Sequence, residues 1–174
     1  MMESLPDIYK RLGIGDEQLR GNRLAVQHQP PLADLEVVDI DFEGKPFILT
    51  RKTASAWREM VKAAEGESIS LAPFSGFRSY IHQAGLIERH LKNNRPLSDI
   101  LMALAIPGFS EHHTGRAIDI HAPGHAVLEQ EFDETPQFAW LTKNAARFGF
   151  RMSYPRDNPH GIIYEPWHWF YIRE

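Results

Sequence analysis

Val, Ile and Phe crowd two short runs, Leu35 to Ile40 and Lys45 to Leu49, on either side of Glu43-Gly44. This predicts two antiparallel strands joined by a tight turn. From Thr53 the apolar repeat lengthens to three or four residues, placing Ala54, Trp57, Val61 and Ala64 on one face, with Thr53 as N-cap and Gly66 as the stop. A short strand over Ser68–Pro73 then feeds a loop, Phe74 to Arg78. A second helix starts near Ser79, where Tyr80, Ala84, Ile87 and Leu91 share a face, and a shorter one runs from Leu97 to Ala105 before Pro107-Gly108. Beyond it the pattern gives a strand at Ala117–His121, a helix at Pro136–Phe148 capped by Thr135 and closed by Gly149, and strands at Phe150–Tyr154 and His168–Ile172. The first thirty residues are interrupted by Gly13, Gly15, Gly21 and Pro30-Pro31, which predicts an irregular surface arm with one helical turn. Strands and helices interleave without a regular βαβ beat, so the expected class is α+β with a small antiparallel sheet flanked by helices. The expected organisation is an arm at 1–34 packed on a single domain at 35–174.

Composition narrows the function classes. With 43% hydrophobic and 24% charged residues in 174, the chain has a globular balance, which excludes disorder, collagen and coiled coil for the whole. A net charge of -4 offers no broad field for phosphate backbones or anionic lipid, so nucleic acid and membrane are not expected partners. No basic n-region precedes an apolar stretch at the start, and no run of 18 uncharged apolar residues occurs. The expected location is the cytoplasm for the chain as written, or the cell envelope if a leader was removed. Cysteine is absent, so any metal must sit on His, Asp or Glu.

Nine histidines are present, six of them from residue 112 to residue 168. An open zinc site needs three nitrogen or oxygen ligands and one free position. The segment Ser110-Glu111-His112-His113-Thr114-Gly115-Arg116-Ala117-Ile118-Asp119 supplies histidine and aspartate together. Strand alternation puts Ala117, Asp119 and His121 on one face and Ile118 and Ile120 on the other, while Gly115 lets the chain turn so that His112 returns towards Asp119. Spacing alone leaves His112 and His113 nearly equivalent. Glu165-Pro166-Trp167-His168 suits one group holding the metal and the other holding its water, and a carboxylate there takes that water's proton as it attacks a carbonyl. Arg78, at a junction of strand and helix, is a candidate cation for the developing oxyanion.

Ser75-Gly76-Phe77-Arg78-Ser79 with Gln83, then Ser-x-His-x-x-Gly-x-Ala-x-Asp from Ser110, then Glu165-Pro166-Trp167-His168 resembles the D-alanyl-D-alanine carboxypeptidase and dipeptidase family of zinc peptidases, which includes the vancomycin-resistance D,D-peptidases. The resemblance covers Ser68 to Ile172. It implies that His112, Asp119 and His168 ligate one zinc ion, that Glu165 is the base, and that Arg78 stabilises the scissile carbonyl. It also implies that Gln83 and Ser110 help bind the substrate's terminal carboxylate or backbone. The implied fold is a small antiparallel sheet flanked by helices. Many members carry a basic residue shortly after the Trp-His pair, where this chain has Trp169-Phe170-Tyr171.

Other readings stand beside these. His28, His82, His90 and His125 read as solvated or hydrogen-bonded side chains outside the site. His121 reads as a substitute ligand or outer partner of Asp119. Glu111 precedes a ligand directly, and in an extended segment its side chain points away. Trp167 and Trp169 read as wall and core on the face opposite His168, and Asp157-Asn158-Pro159-His160 as a turn with His160 at the pocket rim. The functional expectation is a monomeric zinc carboxypeptidase acting on peptidoglycan stem peptides or D-Ala-D-Ala-ended precursors. The same metal set would serve an L,D-carboxypeptidase, a D,D-dipeptidase or a phage-type endopeptidase. From other classes, a non-catalytic zinc module binding cell-wall peptide or a protein predicts loss of the base or the cation, and a purely structural domain predicts no stoichiometric metal.

Overall fold

A computed structural model describes residues 3–41 and 43–173. The chain opens with helix α1, Leu5–Leu12, whose N-cap Ser4 accepts from the Asp7 N–H, and α2, Asp16–Gly21. The sequence pattern had given this stretch one turn on the surface. Instead Ile8 and Leu12, one turn apart on α1, join Ile14 in an apolar cluster with Ala84, Ile87, Ile100 and Ile106. Each such side chain contributes about 1.5–3 kcal/mol on leaving water, which offsets the ordering of a short helix that would not hold by itself.

Strands β1, Leu35–Ile40, and β2, Pro46–Thr50, form the predicted antiparallel hairpin. Helix α3, Arg51–Gly66, follows β2 directly, so Thr50 takes the cap position expected of Thr53. Thr53 is buried, its hydroxyl 2.8 Å from that of Thr50. Strand β3 occupies Ala72–Ser75, later than Ser68–Pro73, because Ser68 takes a left-handed φ of 61° and the Ile69 N–H bonds back to the Ala64 carbonyl. That turn spends the first residues of the expected strand on ending α3. Next come α4, Tyr80–Lys92, capped by Ser79, and α5, Leu97–Ile100, a single turn that does not continue to Ala105. Strand β4 is Ala117–His121, and α6, Pro136–Asn144, is capped by Thr135 and tightens into a 3-10 turn through Phe148. Strands β5, Phe150–Met152, and β6, His168–Tyr171, complete the chain.

The main sheet has the order β3-β4-β6-β5 and every pairing is antiparallel. Its α+β class agrees with the sequence pattern. One face is dry: Ile118, Ile120, Phe150 and Trp169 pack with Phe47, Leu49, Trp57, Met60, Trp140 and Leu141 from the hairpin, α3 and α6. Alternation sends Asp119 and His168, which are register partners on β4 and β6, to the opposite face. No helix among the described residues is long and apolar enough to cross a membrane.

Candidate metal centre

The Asp119–His168 pair is the floor of the site. Asp119 also registers with Ser75, so β3 carries the Ser75–Ser79 segment to the same end of the sheet. The third group arrives on a 3-10 turn, Glu111–Thr114, which ends at Gly115 with a φ of 67°. A left-handed residue is needed there for the turn to run directly into β4. The backbone joins the two motifs: the Arg78 N–H donates to the His112 carbonyl at 3.0 Å.

The structure separates the two adjacent histidines. His113 accepts from the Gly108 N–H at Nε2 (3.1 Å), so its proton is on Nδ1, 2.6 Å from the Arg78 carbonyl. Both nitrogens are occupied by backbone, and burial lowers its pKa to about 4. His113 is thus a neutral brace between loops. His112 donates from Nδ1 to the Gly76 carbonyl at 2.7 Å, which leaves the Nε2 lone pair 3.2 Å from Asp119 Oδ2. His168 Nδ1 lies 3.0 Å from Asp119 Oδ1.

His112, Asp119 and His168 are buried, and each offers one donor atom, all within 4.8 Å of one another. The two histidines approach different oxygens of Asp119, His112 Nε2 lying 3.2 Å from Oδ2 and His168 Nδ1 3.0 Å from Oδ1, so the carboxylate sits between both rings. Two imidazoles and one carboxylate with a fourth side left to the cavity suit a catalytic rather than a closed structural zinc.

Charges in the site are strongly coupled. Burial opposes ionisation of Asp119, but the neighbouring His112 and His168 hold its pKa well below the ordinary carboxylate range. Burial also disfavours a charged His168, yet hydrogen bonds to Asp119 and Glu111 lift its pKa to about 10. A metal at that point would compete with this proton. Glu165, 4.0 Å from His168 Nδ1, is pushed up to about 8, chiefly by burial. Arg78 reaches Asp119 Oδ2 at 3.5 Å; burial lowers its pKa while Asp119 and Glu165 oppose that shift. Gln83 accepts from Arg78 Nη1 at 2.9 Å and donates to the Ala105 carbonyl at 2.7 Å, so both ends of its amide are engaged. Ser75 takes the other guanidinium nitrogen at 3.0 Å.

A cavity of about 380 Å³ opens over these groups, lined by Arg78, Gln83, Ser110, Glu165 and the three donors. His90, expected to lie outside, contributes to its wall, as does Trp167, which also joins the core. His28, His82 and His125 are exposed, and His121 lies opposite Ala72, farther along β4 than Asp119. The Asp157–His160 turn forms as expected, with the His160 N–H on Asn158 Oδ1; His160 lines an adjoining cavity that shares Ala105 and Ile162 with the first.

The expectation for Glu111 also fails. Glu111 does not point away, because its segment coils as a 3-10 turn rather than running extended, and its Oε2 lies 2.9 Å from His168 Nε2. Tyr154, which the sequence pattern does not single out for the site, packs against His168 with ring centroids 4.8 Å apart and the planes tilted by 35°. Its only sequence signal is an aromatic at the end of the expected strand Phe150–Tyr154, which in the structure stops at Met152.

Comparison with known proteins follows the same lines. The family model VanY, D-alanyl-D-alanine carboxypeptidase, matches residues 47–174. YodJ of Bacillus subtilis (strain 168) is 35% identical over 150 residues, covering 80% of this chain and 54% of YodJ, so the chain spans about half of that relative. Among solved structures, the LdcB LD-carboxypeptidase superposes with a TM-score of 0.73 at 31% identity, covering 84% of this chain and 70% of that one. The vancomycin-resistance D,D-pentapeptidase VanY from a VanB-type cassette, in complex with Zn(II), gives a TM-score of 0.64 at 25% identity, covering 84% of each chain.

Proposed function

Because the chain belongs to the D-alanyl-D-alanine carboxypeptidase family, we propose that it is a monomeric zinc peptidase that removes the terminal D-alanine from peptidoglycan stem peptides or D-Ala-D-Ala-ended precursors. The observation that carries this reading is the grouping of His112, Asp119 and His168, with one donor atom of each within 4.8 Å of the others, beside Glu165 and Arg78. Those three side chains would hold the ion. When bound, zinc supplies Lewis acidity to the scissile carbonyl and makes water easier to deprotonate.

Glu165 takes the proton of the attacking water and returns it to the leaving D-alanine amine. Burial that holds its carboxyl up to about 8 makes it a proton carrier near neutrality. Arg78 donates to the oxyanion that develops on the carbonyl, its guanidinium aimed by Gln83 and Ser75. Gln83 therefore serves the substrate through Arg78, while the Ser110 hydroxyl, on the cavity wall, meets the terminal carboxylate or backbone.

A second reading, cleavage of an L,D bond, is favoured by the higher TM-score to the LdcB LD-carboxypeptidase. Metal-loaded protein incubated with D,D-, L,D- and cross-linked stem peptides, with products read by mass, separates the two. Release of D-alanine from a D-Ala-D-Ala end is expected. Glu165→Ala should keep its zinc and lose about 10²–10⁴-fold in hydrolysis, whereas His168→Ala should lose the metal. Equal activity of the Glu165 variant and the parent refutes the assigned base. Zinc-dependent peptide binding without cleavage of any substrate would mark a non-catalytic module.

A further inference from the structure

We propose that Glu111, braced by Ser153 and Arg151, is the positioning residue that selects which ring nitrogen of His168 faces the ligand cluster. The inference rests on the zinc reading above and concerns a residue outside the cavity lining. Glu111 Oε2 lies 2.9 Å from His168 Nε2 and accepts from the Ser153 hydroxyl at 2.6 Å, while Oε1 lies 3.4 Å from Arg151 Nη2. All three members of the Glu111–Ser153–His168 chain are buried.

An ionised carboxylate only accepts, so Nε2 keeps its hydrogen towards Glu111, and the proton a metal would displace is the one on Nδ1, which faces Asp119 Oδ1 at 3.0 Å. A ring flipped to exchange its nitrogens would lose this arrangement, and the Tyr154 ring against its face resists the flip. The two histidine donors are thus oriented differently. His112 leans on the Gly76 backbone carbonyl, which no substitution removes, and His168 leans on a side chain. Glu111 cannot act as the base in this arrangement, because it holds the nitrogen of His168 that faces away from Asp119. Partners of this kind fix ligand orientation and basicity, and their loss typically weakens metal binding by about 10–100-fold.

The test measures zinc affinity by chelator competition for the parent, Glu111→Ala, Glu111→Gln and Ser153→Ala, with thermal melts of each metal-free protein and ¹⁵N spectra of the His168 ring. Glu111→Ala should weaken zinc about 10–100-fold and allow both ring tautomers. Glu111→Gln, whose Oε1 still accepts from Nε2–H, should restore affinity to within about fivefold and keep the parent tautomer. A Glu111→Ala affinity within twofold of the parent overturns the proposal. If that variant does not fold, Ser153→Ala decides: weakening of about three- to tenfold with an unchanged metal-free melt supports it, and parental affinity overturns it. A parent that takes up no zinc overturns the zinc reading and this inference together. A parent that takes up zinc while the variants match it overturns this inference alone.

Discussion

Among the glycines, Gly76 is the one where an added Cβ meets its nearest neighbour at the shortest distance. A Cβ built there would lie 2.4 Å from the Ile48 carbonyl oxygen, 3.0 Å from the Phe47 ring and 3.2 Å from Leu49 Cδ2. The first of these is backbone, and the Phe77 N–H already bonds to the same oxygen at 2.7 Å, so β2 cannot retreat without losing that bond. Phe47 and Leu49 are fully packed in the core and cannot swing aside. Overpacking a well-filled site costs about 1–3 kcal/mol, and a backbone clash places Gly76→Ala towards the upper end, at about 2–3 kcal/mol. In a domain of this length that lowers Tm by roughly 4–12 °C. Because the Gly76 carbonyl holds His112 Nδ1, the same displacement should weaken zinc binding. Gly85 is the matched control: it lies within α4 and has nothing within 4 Å of an added Cβ, so Gly85→Ala should stabilise by about 0.4–1 kcal/mol. Urea and thermal unfolding of both variants, with zinc affinity alongside, check the argument. A Gly76→Ala protein as stable as the parent would refute it.

Three further outcomes are expected. In metal-free protein, Glu165 has its folded pKa raised from 4.5 to about 8, so its contribution is fully present below about pH 4.5 and is lost as pH climbs through 8. Glu165→Gln should remove up to ~4 kcal/mol of that decline; parallel stability profiles of variant and parent from pH 5 to 9 would count against it. His113→Ala should cost about 2–4 kcal/mol, since a fully buried ring and two backbone bonds are lost, yet still bind one equivalent of zinc. Loss of zinc from a folded variant would contradict the brace assigned to His113. Zinc at 100 times its Kd should raise unfolding stability by about 2.7 kcal/mol, and a Tm that ignores zinc and chelator alike would speak against a metal site of the folded state.

Local pattern carried much of this molecule. The boundaries of β4 were readable because Ile118 and Ile120 alternate with Asp119 and His121, and the same alternation correctly separated core from site. The motifs around Arg78, His112, Asp119 and Glu165-Pro166-Trp167-His168 carry the family resemblance, and three of their residues, His112, Asp119 and His168, lie together in the structure. Features decided by distant partners were not legible. The apolar spacing of Ile8, Leu12 and Ile14 has meaning only against α4 and α5, about eighty residues on. Glu111 was misread because a strand was extrapolated back into a segment that coils, and its partners Ser153 and His168 lie 42 and 57 positions away. The shift of β3 came from a left-handed serine, a conformation for which serine carries little signal.

The pairing of Asp119 with His168 ties two processes together. Because Ile118 faces Trp169 in the adjacent ladder position, sliding β6 along β4 by a single step would set the aspartate opposite a tryptophan and carry an imidazole into the oily layer. On the zinc reading, capture of the cation would double as a checkpoint on strand alignment: a misthreaded sheet would have nowhere to seat it, and the ion's affinity would reward the correctly threaded one.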